Sequence, residues 1–120
     1  MKVSDLQTLS KAAGLKFQAA MKAYGAANAR RQKLLDEAES LRAAPSGLEA
    51  IAPESLTAQD FIAAEAAHAL RIRKATQMVA QAMAMDGEVS QLKGQVRKAL
   101  AKQDVIDRLL SQAEQSSRSV

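Results

Sequence analysis

The sequence has no cysteine and no tryptophan, and its only aromatic residues are Phe17, Tyr24 and Phe61. Without cysteine, the chain can form no disulfide and offers no thiolate to a metal ion. Because so few aromatic side chains are present, little bulk is available to fill a thick, many-layered core. These absences exclude a disulfide scaffold and argue against a compact globular interior.

Signals of catalysis and of membrane insertion are also absent from the sequence. There is no cysteine nucleophile, only one histidine, and no glycine-rich loop leading from a strand into a helix. No apolar run approaches the roughly 20 residues that span a bilayer, and the N-terminus lacks the apolar segment of a secretory signal. The 17 basic and 13 acidic residues are interspersed and lack stacking aromatics. We therefore expect a cytoplasmic protein that is not an enzyme, has no cofactor and does not bind nucleic acid.

Residues with high helix propensity dominate the sequence, and their apolar members follow alternating spacings of three and four. A capping box at Ser4 to Gln7 predicts the start of helix one, and Pro45 predicts its end, so that this helix spans about 4–44. Its apolar stripe consists of Leu6, Leu9, Ala13, Phe17, Ala20, Tyr24, Ala27, Leu34, Ala38 and Leu41, with Arg31 as the one polar member.

Both prolines lie at about 45–57, which predicts the tip of a helical hairpin. Thr57 to Asp60 reads as the cap of helix two, which we expect to run over about 58–115, with local weakness at Gly87 and Gly94 and a frayed tail at 116–120. The stripe of this helix is Ile72, Val79, Ala82, Met85, Val89, Leu92, Val96, Ala99, Gln103, Ile106, Leu110 and Ala113. The predicted fold is all-α, a single domain forming an elongated antiparallel two-helix coiled coil.

In an antiparallel hairpin folded at the middle of this tip, a residue of helix one lies beside the residue of helix two whose number, added to its own, gives about 103. The last 20 or so residues of helix two, roughly 30 Å, would then lie beyond the start of helix one. The apolar surface of this overhang comprises Val105, Ile106, Leu109 and Leu110. Exposed apolar surface of this kind marks a protein interface, which an amphipathic helix or a second copy of the hairpin, forming a homodimer, would cover. The alternative is that the N-terminus or a bent tip covers this surface within the chain.

Two alternatives follow from other features. Glu65 and His68 share a helix face at a spacing of three, as in ferritin-like iron sites, and together with Glu37 they could assemble a metal centre in a dimer of hairpins. The null interpretation is a solvated histidine. The second alternative is a phasin-like or scaffold protein whose alanine-rich amphipathic helices coat an apolar surface.

A tip near mid-chain, a long hairpin and the segment from Gln95 to Lys102 (QVRKALAK) resemble the FliJ/YscO family. The resemblance implies a cytoplasmic coiled-coil stalk of bacterial type III secretion, flagellar or virulence-associated. It also implies that the joined chain ends contact the secretion ATPase. The tip, with Arg31, Arg71 and Arg73 beside it, would face the export gate or export chaperones.

Overall fold

The computed structural model describes residues 2–118, and its long elements are all α-helices. Helix α1 comprises Val3–Ala43, α2 comprises Ala58–Ala84, and α3 comprises Asp86–Arg118. No strand occurs within 2–118. The prediction of an all-α helical hairpin is therefore confirmed. Of the tail predicted at 116–120, residues 116–118 belong to α3, and 119–120 lie outside the described residues.

The start of α1 differs from the predicted capping box. The Lys2 carbonyl accepts hydrogen bonds from the N–H groups of Asp5 and Leu6, both at 3.1 Å. Ser4 consequently lies inside the helix, where its carbonyl accepts the Thr8 hydroxyl at 3.0 Å. The predicted cap is wrong because the backbone of Lys2 already closes the first turn, so the Ser4 side chain is not needed there.

The start of α2 confirms the sequence signal at Thr57. The Asp60 N–H donates to Thr57 Oγ1 at 3.2 Å, and the Thr57 N–H donates to Asp60 Oδ2 at 2.9 Å. This reciprocal pair satisfies two N–H groups that would otherwise have no partner in the first turn. It fixes where the chain leaves the tip and re-enters a helix.

The tip between α1 and α2 contains two short 3-10 turns, Leu48–Ala50 and Pro53–Ser55. Before the first, Gly47 has φ 84°, a left-handed conformation that glycine adopts without steric cost. The Ser46 hydroxyl accepts from the Leu48 N–H and donates to the Glu49 carboxylate, each at 3.2 Å. The pKa of the Glu49 carboxyl group is lowered. The larger cause is a hydrogen bond from the backbone of Glu49 itself, and the next is the hydrogen bond from Ser46.

The second long helix of the hairpin is interrupted at Met85, which separates α2 from α3. The Met85 N–H donates to the Ala82 carbonyl at 3.1 Å, three residues back rather than four. Gly87, which has low helix propensity, follows two residues later. The sequence indicated weakness at Gly87, and the structure places the break two residues before it.

The described chain divides into two compact units by its internal contacts. Of the described residues, the terminal unit contains 2–28 and 87–118, and the tip unit contains Ala29–Asp86. In each unit, α1 packs against the second arm through its predicted apolar stripe. Leu9 is the one exposed member of that stripe. The most buried side chains are small: Ala27, Ala38, Ala75 and Ala82 are at most 1% exposed, whereas no large side chain is fully buried. Alanine at these positions lets paired helices approach closely.

The predicted register between the two arms is wrong. Residues that meet across the arms have numbers adding up to 117 rather than 103; the pairs are Ser10 with Asp107, Gly14 with Gln103, and Arg31 with Asp86. Leu41 accordingly lies beside Lys74 and Met78 in the tip unit. The overhang of about 20 residues at the end of helix two does not exist, because α1 runs alongside α3 until about the last turn.

The unpaired part of helix two is instead its beginning. Since α1 ends at Ala43, the corrected register leaves about 16 residues of α2, or ~24 Å, beyond the end of α1. The tip segment returns along this stretch, and its turn Leu48–Ala50 contacts α2. The prediction is wrong because the tip is not a short bend: it is a connection with two 3-10 turns that runs beside about four turns of α2.

Candidate functional site

The four apolar residues predicted to bind a partner lie in the terminal unit, where α1 covers them in part. Leu110 lines a hollow with Gln7, Ser10 and Lys11, and Ile106 is half-buried. Val105 and Leu109 point outward and are 55% and 47% exposed. The structure thus separates the set into two interface residues and two surface residues. Their role in binding a partner stays a prediction.

A groove on this unit, which we call the basic groove, is the best-formed concave surface of the described chain. Its volume is about 260 Å³, and its lining is contributed by both helices: Leu9, Ala12, Ala13 and Lys16 of α1, and Gln95, Lys98, Ala99, Lys102 and Ile106 of α3. The floor consists of small side chains because the interface beneath it is alanine-rich. Leu9, the one exposed member of the α1 stripe at 41%, forms part of its wall.

The charges around the basic groove have one sign. Three lysines, Lys16, Lys98 and Lys102, line it, and no carboxylate is among its lining residues. Asp107, which accepts a hydrogen bond from the Ser10 hydroxyl at 2.9 Å, lies outside the groove lining. An apolar floor between cations suits an apolar ligand that carries negative charge along its edges.

The groove continues into a shallower apolar hollow on α3, which we count as part of the basic groove. Ala101 and Val105 line this hollow together with Lys102 and Ile106, which belong to both depressions. Residues 99, 102 and 106 recur at helical spacing, so the two depressions follow one face of α3. The combined surface has the length of several helical turns, which fits an amphipathic helix better than a small molecule. The sequence located Val105 and Ile106, but it missed Leu9 and the lysines because their grouping depends on the register.

The three arginines predicted to form a charged surface beside the tip are not brought together. Arg31 Nη1 donates to Asp86 Oδ1 at 2.7 Å, which ties it to the end of the tip unit away from Arg71. Fifteen residues of helix separate Asp86 from Arg71, or ~22 Å. Arg71 is half-buried, and its Nε and Nη2 have no hydrogen-bond partner among the described residues, whereas Arg73 is exposed.

The residues of the predicted metal alternative are likewise separated within one chain. Glu37 lies beside Lys74 and Met78, whereas Glu65 and His68 lie in the part of α2 beyond the end of α1. Across residues 2–118, no three histidine, cysteine, aspartate or glutamate side chains come close enough to hold a metal ion. The same register error that placed the overhang at the wrong end also placed Glu37 beside these residues.

Comparisons with protein-family models, with curated proteins and with solved structures found no match to this chain. Within 2–118, no helix combines the length and the apolar character needed to cross a bilayer. The basic groove is the feature of the described chain that indicates a binding function.

Proposed function

We propose that this chain is a non-enzymatic helical adaptor or stalk that binds a protein partner through the basic groove. The observation that carries this proposal is the combination in one groove of an alanine floor, the exposed side chains of Leu9 and Val105, and three lysines without a carboxylate. Such a surface is suited to bury the apolar face of a partner's helix while its lysines select the partner's charge.

We further propose that the adaptor acts in the cytoplasm as the stalk of a bacterial type III secretion or flagellar export apparatus. The support is the architectural resemblance to FliJ/YscO proteins together with the helical hairpin. In this setting the secretion ATPase would bind the terminal unit, and the export gate or export chaperones would bind near the tip. A stalk transmits position through its stiffness, so it needs no catalytic group.

The test measures binding of the full chain to the purified secretion ATPase of the same organism by isothermal titration calorimetry. Val105→Asp places a charge in the groove at a side chain that is 55% exposed, so the helices should remain folded. We expect at least a ~10-fold weaker Kd, since an apolar contact is replaced by a desolvated carboxylate.

The matched control is Leu15→Asp on the same unit, because Leu15 is 68% exposed and does not line the groove. It should bind like the wild type. Equal loss in both variants would contradict the groove assignment, and failure of the wild type to bind the ATPase would contradict the secretion setting. Circular dichroism establishes that both variants stay helical.

A further inference from the structure

The chain itself carries a helix with the properties that the basic groove selects. The segment 58–70, which we call the acidic segment, is the start of α2 and contains Asp60 and Glu65 but no lysine or arginine. Three large apolar side chains of this segment point to solvent: Phe61, Ile62 and Leu70 are 53%, 65% and 64% exposed. Such a concentration of large exposed apolar groups on one short helical stretch marks an interaction surface.

The spacing of these side chains suits a helix that lies in a groove. Ile62, Ala66 and Leu70 are four residues apart and share one face, and Phe61 and Ala69 flank it. The alternation of large and small residues matches a groove floor made of Ala12, Ala13 and Ala99. No part of α1 covers this face, because the acidic segment lies beyond the end of α1.

The charges of the two surfaces are opposite in sign. The acidic segment has two carboxylates, Asp60 and Glu65, and no lysine or arginine, and the stretch that precedes it, 36–57, adds five carboxylates against the single cation Arg42. The other 16 of the 17 basic residues lie elsewhere in the sequence, and three of them line the basic groove. An acidic helix is therefore attracted to this groove, and a basic one is repelled from it.

We propose that the acidic segment of one copy of the chain docks into the basic groove of a second copy, with Phe61, Ile62 and Leu70 as its apolar anchors. The interface is heterologous, since the two surfaces differ. Each copy carries one of each, so association continues beyond two copies unless the geometry closes. The contact combines apolar burial with unlike charges, and salt weakens it.

The test follows the mass of the full chain by sedimentation velocity over a range of concentrations. We expect the mass to rise with concentration at about 0.1 M salt and the apparent Kd to weaken roughly 10-fold at about 1 M salt. Ile62→Ser should weaken association at least ~10-fold. The control Leu15→Ser, at an equally exposed leucine outside both surfaces, should leave it unchanged.

A charge-reversal pair makes the test specific for the two surfaces. One variant carries Lys16→Glu, Lys98→Glu and Lys102→Glu. The other carries Glu65→Lys in the acidic segment and Glu54→Lys in the turn just before it. Each alone should sediment as a monomer, because like charges now oppose the contact. Mixed together, they should associate again, since the acidic groove of the first accepts the basic segment of the second.

Because neither variant alone should associate, association of the mixture of two variants that circular dichroism shows to be helical supports the proposal. A wild type that stays monomeric, or a mixture that fails to associate, would overturn the proposal and leave a partner's helix as the occupant of the groove. The Glu54 and Glu65 variant retains an intact groove. Its binding to the secretion ATPase therefore tests the proposed function separately from self-association.

Discussion

Replacing Ala27 with leucine tests whether small side chains determine the packing of the terminal unit. Ala27 is fully buried, at 0% exposure, on the face of α1 that meets the second arm. Leucine adds three carbon atoms where no large side chain is fully buried, so the helices must separate or the new side chain must leave a favoured rotamer. Overpacking of this kind costs ~1–3 kcal/mol, which lowers Tm by roughly 5–15 °C.

The assay is thermal and urea unfolding followed by circular dichroism at 222 nm, with Ala26→Leu as the matched control. Ala26 is the neighbouring residue on α1 and is exposed, so the control makes the same chemical change outside the interface. Its effect should stay within ~0.5 kcal/mol, because alanine and leucine have similar helix propensities. Equal Tm values for the two variants would refute the close-packed interface, and a more stable Ala27→Leu would show an unfilled space there.

Three further predictions concern the polar contacts. Thr57→Ala should destabilise the chain by ~1 kcal/mol in urea unfolding, because it removes half of a capping box, and a change below measurement error would contradict that role. Arg31→Ala and Asp86→Ala in a double-mutant cycle should give a coupling of only ~0.5 kcal/mol that fades in high salt, since both side chains are partly exposed. The lowered pKa of Glu49 stabilises the fold at neutral pH, and this contribution disappears as pH falls through that pKa. Ser46→Ala should raise the pKa in an NMR titration.

The helical stripes were predictable because burial follows the period of the helix. Phe17, Tyr24 and Leu34 belong to a stripe whose successive members are three or four residues apart, and each is shielded as expected. Val89 is buried for the same reason, and Gln103 shows that a polar residue at a stripe position is shielded too. These assignments depend only on local geometry, which the spacing of residues along one chain determines.

The register between the arms was not predictable by the same means. The observed register differs from the predicted one by 14 residues, which is two heptads. Alanine-rich stripes look alike after a slide of whole heptads, so alanines such as Ala75 and Ala82 are equivalent partners for α1 when judged by sequence alone. What fixes the register is the path of the tip, including the left-handed Gly47 and the turn at Pro53. The predicted partner-binding site depended on an overhang of helix two, so the wrong register also placed this site wrongly.

The basic groove shows what the sequence could contribute to a site of this kind. Val105 and Ile106 were recognisable as apolar residues of interest, but Leu9, Lys16 and Lys98 become neighbours only once the arms are aligned. The charge pattern of α3 alone does not reveal a basic groove, because Asp104 and Asp107 lie close to its lysines in sequence. Only three-dimensional grouping separates the carboxylates from the groove.

The alanine-rich interface also determines how stability depends on temperature. The folded chain exposes 8921 Å², whereas an unfolded chain of 12.8 kDa exposes about 18,600 Å². Folding therefore hides only about half of the surface, less than the roughly two thirds hidden by a domain of similar length. The heat-capacity change of unfolding, which scales with newly hydrated apolar area, is correspondingly small. We therefore expect a broad and shallow stability curve and an unfolding transition that spans a wide range of temperature.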